Sequence, residues 1–223
     1  MCQHNRSFMI TSARRQAESV EGSPRRRGAL DQVLITAAMD LFASYGYRGT
    51  SLARIARAAG VTKGALYWHF NDKEDFFLAV AERVLEEWNN AFRQQGPVTT
   101  RAEFRDHFLK IFETSAGLNI TNPWVSRLLM IITLESHKIG PRVLRAMRKA
   151  NTRQLQYLRD VVEQGKSLGV FAADLDLDWA ATQLWSSMVG SQLLWYLHGS
   201  RYELRKSFRR QAREYLQQWS RAK

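Results

Sequence analysis

The sequence predicts an all-α fold, with a small N-terminal three-helix domain carrying a helix-turn-helix and a larger C-terminal helical domain behind it. Three observations predict this. Apolar residues recur at three- and four-residue steps along most of the 223 residues, the period of a helix with one buried face. Only four prolines and thirteen glycines interrupt the chain, so its elements can be long. No stretch shows the convincing apolar-polar alternation of a strand.

Residues 1–28 mix Ser, Gln, Glu and Arg without sustained periodicity and predict a basic flexible arm, with six arginines against two glutamates. The arm is either a solvated tail or a contact to phosphates or a minor groove. Met9 is a second candidate start. Helix one is expected over 29–46, where Leu30, Val33, Leu34, Ala37, Ala38, Leu41 and Phe42 form a stripe. Gly46 and Gly49 end it. Thr50 or Ser51 caps helix two, whose buried face is Leu52, Ile55, Ala56 and Ala59. Gly60 supplies the tight turn, Val61 plugs it, Thr62 caps helix three and Leu66 anchors that helix to the core. Asn71 and Asp72 cap helix four, which starts near Lys73 and runs to about Gln95 on Phe76, Phe77, Val80, Val84, Leu85, Trp88 and Phe92. Further helices are expected near 100–117, 124–137, 141–167, 177–198 and 201–220. They are punctuated by Asn122-Pro123, Gly140-Pro141, Gly169 and Gly199-Ser200. The expected domains are 29–75 and 76–223.

The formal net charge of +12 favours a polyanionic partner. A single cysteine, Cys2, excludes an internal disulfide framework and a multi-cysteine zinc site, and points to the cytoplasm. No apolar run approaches the roughly 20 residues needed to cross a bilayer, and the N-terminus lacks a signal-peptide core, so no membrane partner is expected. With no Gly-rich phosphate loop, metal-ligand cluster or nucleophile–base pair, neither an enzyme nor a cofactor is expected.

Residues 50–70, TSLARIARAAGVTKGALYWHF, contain three basic residues and no acidic one, and end in an aromatic cluster. Preceded by LFASYGYRGTS and followed by NDKEDFFLAV, they make residues 30–78 resemble the DNA-binding domain of the tetracycline-repressor (TetR) family. The string GVTKGALYWHFNDKEDF is especially similar to repressors of multidrug efflux pumps. Beyond this region the likeness is one of length, helicity and aromatic content.

The resemblance implies a dimeric, ligand-responsive repressor on a palindromic operator. Only the first turns of a short helix three can enter a major groove, and they hold Lys63, Gly64 and Ala65. Lys63 can donate to guanine O6 or N7, Gly64 lets the backbone approach closely, and Ala65 is free to meet a thymine methyl. Tyr67 and His69 resemble family positions that donate to phosphates, and Trp68 packs on sugar or on helix one. Lys73 stands at a helix N-terminus suited to a phosphate, and the hydroxyls of Thr50 and Ser51 offer the same at helix two. Thr50, Thr62 and Asp72 serve equally as plain helix caps, Phe70 as core, and Arg54 and Arg57 as a solvated face.

One such domain contacts few bases, so two copies about one helical turn apart are required. By resemblance, the last two helices dimerise. Trp179, Leu184, Trp185, Met188, Val189, Leu193, Leu194 and Leu197 exceed what one helix face needs to bury, and Phe208, Tyr215, Leu216 and Trp219 continue the pattern. The expected effector is an apolar or amphipathic small molecule. Its candidate walls are Trp88, Phe92, Phe104, Phe108, Phe112, Leu128, Ile131, Leu134, Glu135, Leu158 and Trp185, each of which core packing explains as well. Glu135 and His137 end an apolar run, where a buried Glu selects a cation or an exposed one merely ends a helix. Lys138, Arg142, Arg145, Arg148, Lys149 and Arg153 form a basic cluster without acids. Residues 199–223 form a second cluster, with eight basic and two acidic residues. Both read as solvated surface, and the first alternatively as an extension of the DNA-facing field or an attractor of an anionic ligand. The implied mechanism is a ligand-driven tilt of helix four that changes the spacing of the two recognition helices. The alternative is a ligand-independent regulator or activator of metabolic genes on the same scaffold.

Overall fold

Three of the four prolines stand at the first position of a helix, where a fixed φ and a missing N–H do no harm. In a computed structural model, which describes residues 24–93, 98–121 and 123–220, the described residues form nine α-helices and one 3-10 turn, with no strand among them. The helices are α1 (Pro24–Tyr45), α2 (Leu52–Ala59), α3 (Lys63–His69), α4 (Lys73–Arg93), α5 (Arg101–Thr121), α6 (Pro123–Ile139), α7 (Pro141–Ser167), α8 (Leu177–His198) and α9 (Leu204–Gln218). The 3-10 turn, Gly199–Arg201, separates the last two. Because Pro24 opens α1, residues 24–28 of the expected arm are helical. The arm up to residue 23, with Cys2 and Met9, lies outside the described residues. Helix nine begins at Leu204, later than the periodicity suggests, because Gly199 leaves the helix with φ 59°.

The described residues divide into two compact units, the first holding those up to Val84 together with Arg127–Arg145, the second those of Leu85–Ser126 together with those from Ala146 on. In the first, Leu34, Ala38 and Phe42 of α1 meet Leu52, Ile55, Ala56 and Ala59 of α2, Leu66 of α3, and Phe76, Phe77, Val80 and Ala81 of α4, all buried. Phe42 meets Phe77 edge-on at 4.6 Å, and Phe70 meets Phe76 at 4.7 Å, which fixes the start of α4 against the helix-turn-helix. Phe70 is therefore core.

In the second unit α9 lies along α5, and α8 packs on α9. Phe104, Phe108 and Phe112 of α5 are at most 1% exposed. They pack with Phe171, Phe208 and Tyr215 at centroid separations of 5.3 to 6.3 Å. On α8, Ala180, Ala181, Leu184 and Met188 are buried. The opposite surface leaves Trp179 51%, Val189 41%, Leu193 42%, Leu194 43% and Leu197 64% exposed. No helix of the described residues is long and apolar enough to cross a membrane.

Candidate nucleic-acid interface

Gly60 determines how α3 leaves α2. It sits at φ 70°, ψ 24°, the left-handed conformation in which a Cβ is costly. Its N–H reaches the Arg57 carbonyl at 3.2 Å, and the Val61 N–H reaches the Ala56 carbonyl at 3.0 Å, closing the end of α2. Two residues on, Thr62 caps α3: its Oγ1 accepts the Ala65 N–H at 3.2 Å. Ser51 does the same for α2, accepting the Arg54 N–H at 3.2 Å. An accepting hydroxyl keeps its own proton to donate outward, so a cap and a phosphate contact are compatible at both exposed residues.

Leu66, 0% exposed, is the buried residue by which α3 is anchored. The opposite face therefore projects outward: Lys63 and Gly64 are exposed, Ala65 is half-buried, Tyr67 is 47% exposed and Trp68 66%. The Lys63 ammonium lies 5.5 Å from the centroid of the Tyr67 ring. His69 is half-buried between Trp68 and Phe70. A Cβ built on Gly64 would find only the Thr62 Oγ1, at 4.0 Å, so nothing inside the chain requires a glycine there.

A groove of about 470 Å³ runs between these elements. Arg48, Ser51, Lys63, Tyr67, Asp72 and Lys73 contribute to its lining. Three cations face one carboxylate, a field suited to a phosphate. Arg48 was not singled out by sequence reasoning. It lies in the turn after α1, and its signal was a lone arginine between glycine and tyrosine. Lys73 is half-buried, its ammonium 4.1 Å over the Tyr47 ring, and burial lowers its pKa from the ordinary 10.5. Arg54 stacks 3.7 Å over Tyr45.

Two expectations need correction. Thr50 is 1% exposed, and its Oγ1 donates toward the carbonyls of Gly46 at 2.9 Å and Leu41 at 3.2 Å. Its hydroxyl closes the α1–α2 turn and does not reach a phosphate. The N-terminus of α4 also does not stand open to an anion, because Asp72 caps it, accepting the Asp75 N–H at 2.7 Å. Asp75 in turn accepts the Asn71 N–H at 3.2 Å. What Lys73 brings to the groove is its ammonium, over the Tyr47 ring, and not an open helix N-terminus.

The effector candidates are distributed between the units. Leu128, Ile131 and Glu135 belong to the first, where Leu128 is buried and the other two half-buried. Phe92, Phe108, Phe112 and Trp185 belong to the second. The side chain of Trp88 lies outside what the structure describes. Phe108 and Phe112 are packed in the aromatic core, which corrects their placement as ligand walls: their rings already have ring partners on α9 and after α7. Phe92 lies 5.9 Å from the Tyr157 ring, and Trp185 Nε1 donates to Asn151 Oδ1 at 2.9 Å. The Tyr157 hydroxyl is buried without a hydrogen-bond partner, and burial pushes its pKa up to about 12.

Comparison with known proteins agrees with this geometry. A family profile described as bacterial regulatory proteins, tetR family, matches residues 34–80. The HTH-type transcriptional regulator AcrR of Shigella flexneri is 51% identical over 51 residues, 23% of this chain and 24% of that protein. The regulator SrpR of Pseudomonas putida is 31% identical over 147 residues, 66% of this chain and 65% of its own length. These matches thus span from about a quarter to just under two thirds of the curated relatives. Among solved structures, a TetR transcription regulator from Haloarcula marismortui superposes with a TM-score of 0.74 at 18% identity, covering 86% of this chain and 98% of that one. FadR from Bacillus subtilis, solved in complex with stearoyl-CoA, gives a TM-score of 0.66 at 19% identity, covering 83% and 96%.

Proposed function

Because the chain is a TetR-family transcriptional regulator, we propose that it is a ligand-responsive repressor that binds a palindromic operator as a homodimer in the cytoplasm. The observation that carries this is the front of α3, where an exposed Lys63 and a Gly64 without any internal reason to be glycine adjoin a groove of Arg48, Ser51 and Lys73. Lys63 reads a guanine edge, Gly64 admits the backbone, and Ser51, Thr62, Tyr67, His69 and Lys73 grip phosphates on either side.

Dimerisation is supported by the bare apolar stripe of α8. Val189, Leu193 and Leu197 follow one another at four-residue steps, and Gly190 beside them has open space where a Cβ would stand. A contiguous apolar face of this kind calls for a covering partner, and a second α8 is self-complementary to it. An amphipathic effector is supported by the stearoyl-CoA complex of the FadR neighbour and by the orphaned Tyr157 hydroxyl beside Phe92. Control of a multidrug efflux system rests on the likeness of residues 60–76 to repressors of such pumps.

Sequencing the genomic DNA captured by the purified protein tests the whole proposal. A short palindrome beside its own gene and a transporter operon is the expected result. A palindrome beside metabolic genes keeps the repressor and moves the effector to that pathway. Diffuse, motif-free capture would refute operator recognition.

A further inference from the structure

Two helix N-termini share one set of carboxylates in the first unit. Asp72 caps α4, and Glu74, two residues further on, accepts the backbone N–H of Arg142 in the first turn of α7 at 3.1 Å. A Cβ on Gly140 would collide with that Glu74 carboxylate, so the glycine is what lets it sit there. Three carboxylates, Asp72, Glu74 and Asp75, are thereby crowded beside Lys73. The Arg142 guanidinium closes on all of them. Nη2 lies 3.0 Å from both Asp72 oxygens, Nη1 is 3.5 Å from Asp75, and Nε is 3.6 Å from Glu74. Asp72 is also a wall of the groove that holds Arg48, Lys63 and Lys73. Its carboxyl is held below its ordinary value first by the Asp75 N–H it caps and then by Arg142. Desolvation opposes the charge on Arg142, yet the three carboxylates outweigh it and raise its pKa.

The basic cluster that follows Ile139 is thus not uniform. Arg145 and Arg148 are exposed, whereas the charge of Arg142 is already matched by carboxylates, so Arg142 does not extend the DNA-facing field. We propose that Arg142 is a positioning residue for DNA binding: from the start of α7 it holds Asp72 and offsets its charge, so that the groove beside Lys73 is more positive while α7 is docked on α4. The proposal rests on the DNA-binding function proposed above and deepens it. Since α7 continues from Pro141 to Ser167 and most of its length belongs to the second unit, a displacement of that helix withdraws the guanidinium and leaves a bare carboxylate facing DNA. Repulsion at the groove wall then accompanies, or replaces, any change in the spacing of the recognition helices.

The test measures affinity for the tightest duplex that the wild-type protein selects from a randomised pool, using the full chain and a salt titration. Arg142→Gln is expected to weaken binding by about three- to tenfold near 0.1 M salt, since one uncompensated charge is restored to a surface that tracks phosphates. Asp72→Asn keeps a capping side chain and removes the charge, so adding it to Arg142→Gln is expected to recover the affinity to within about twofold. Arg142→Lys, which keeps the charge, retains most of it. Lys63→Ala serves as the control for the groove itself. If Lys63→Ala weakens binding and Arg142→Gln does not, the inference about Arg142 fails alone. Should Arg142→Gln weaken binding without rescue by Asp72→Asn, or Arg142→Lys lose as much as Arg142→Gln, Arg142 is mere scaffolding and the charge mechanism is wrong. A Lys63→Ala protein that binds like the wild type overturns the DNA-binding groove, and the role of Arg142 with it.

Discussion

Replacing Gly64 by alanine should move stability and DNA affinity in opposite directions. Gly64 lies in the first turn of α3 with ordinary helical backbone, since it is absent from the positive-φ glycines. The added methyl would meet nothing nearer than the Thr62 Oγ1 at 4.0 Å, so no clash offsets the gain from a stiffer backbone. Glycine-to-alanine replacement within a helix is worth about 0.5–1 kcal/mol. For a chain of this size that raises the melting temperature by about 1–4 °C, measured at one fixed protein concentration. Against DNA the same methyl stands where the backbone must approach. Overpacking of a close-fitting surface costs about 1–3 kcal/mol, which weakens binding about 5- to 150-fold. Fluorescence anisotropy on a selected duplex and a thermal melt on one preparation read both effects. Unchanged or improved affinity would show that α3 does not approach DNA at Gly64. Lower stability would show that the space around Gly64 is not as described.

Other perturbations separate structural from contacting residues. Thr50→Val removes the hydroxyl bonded to the Leu41 and Gly46 carbonyls, and should cost about 1–2 kcal/mol in urea denaturation while leaving the DNA affinity of the folded protein within about twofold. Leu193→Glu combined with Leu197→Glu sets four carboxylates into a two-fold interface, and should raise the dimer dissociation constant about a hundredfold or more by sedimentation, with operator affinity falling in step. Glu103 accepts the N–H groups of Thr99 and Thr100 at the start of α5, which holds its pKa below the ordinary 4.5. A depressed carboxyl contributes stability above its unfolded value that is lost as pH falls through the folded one. Glu103→Gln should therefore lower stability at neutral pH, where the charged carboxylate contributes in full, and flatten the acid limb of the stability–pH curve below about pH 4.5, so that variant and wild type converge in acid.

Much of the architecture was legible because local signals and periodicity agree. Gly60, Thr62 and Leu66 mark the turn, the cap and the anchor of α3 in sequence as in space. The helix ends at Pro123, Pro141 and Gly199 fall where residue chemistry puts them. Lys63 and Gly64, picked out in sequence as small or basic residues at the front of α3, are exposed there, opposite the Leu66 anchor. What failed to show were partners across the fold. Thr50 reads as a cap or a phosphate donor until the two carbonyls in front of it are seen. Arg142 reads as one of six basic residues without acids because its carboxylates lie about 70 positions earlier in the chain. Aromatic spacing on α5 fits a ligand wall and a core alike, and only the rings opposite Phe108 and Phe112 decide between them. On α8, a helix apolar on nearly all sides, sequence could not tell Leu184 and Met188, which are buried, from Leu193 and Leu197, which are not.

A base-substitution scan of the selected duplex, with wild-type protein and Lys63→Ala, shows whether α3 reads bases through Lys63. The wild type should discriminate at positions related by two-fold symmetry. Lys63→Ala should lose that discrimination at one symmetric pair of base pairs, by about 1–3 kcal/mol, and keep it elsewhere. Uniform weakening across all sequences, with only the salt dependence reduced, would contradict it: Lys63 would then be a phosphate charge, and the front of α3 would not be reading bases.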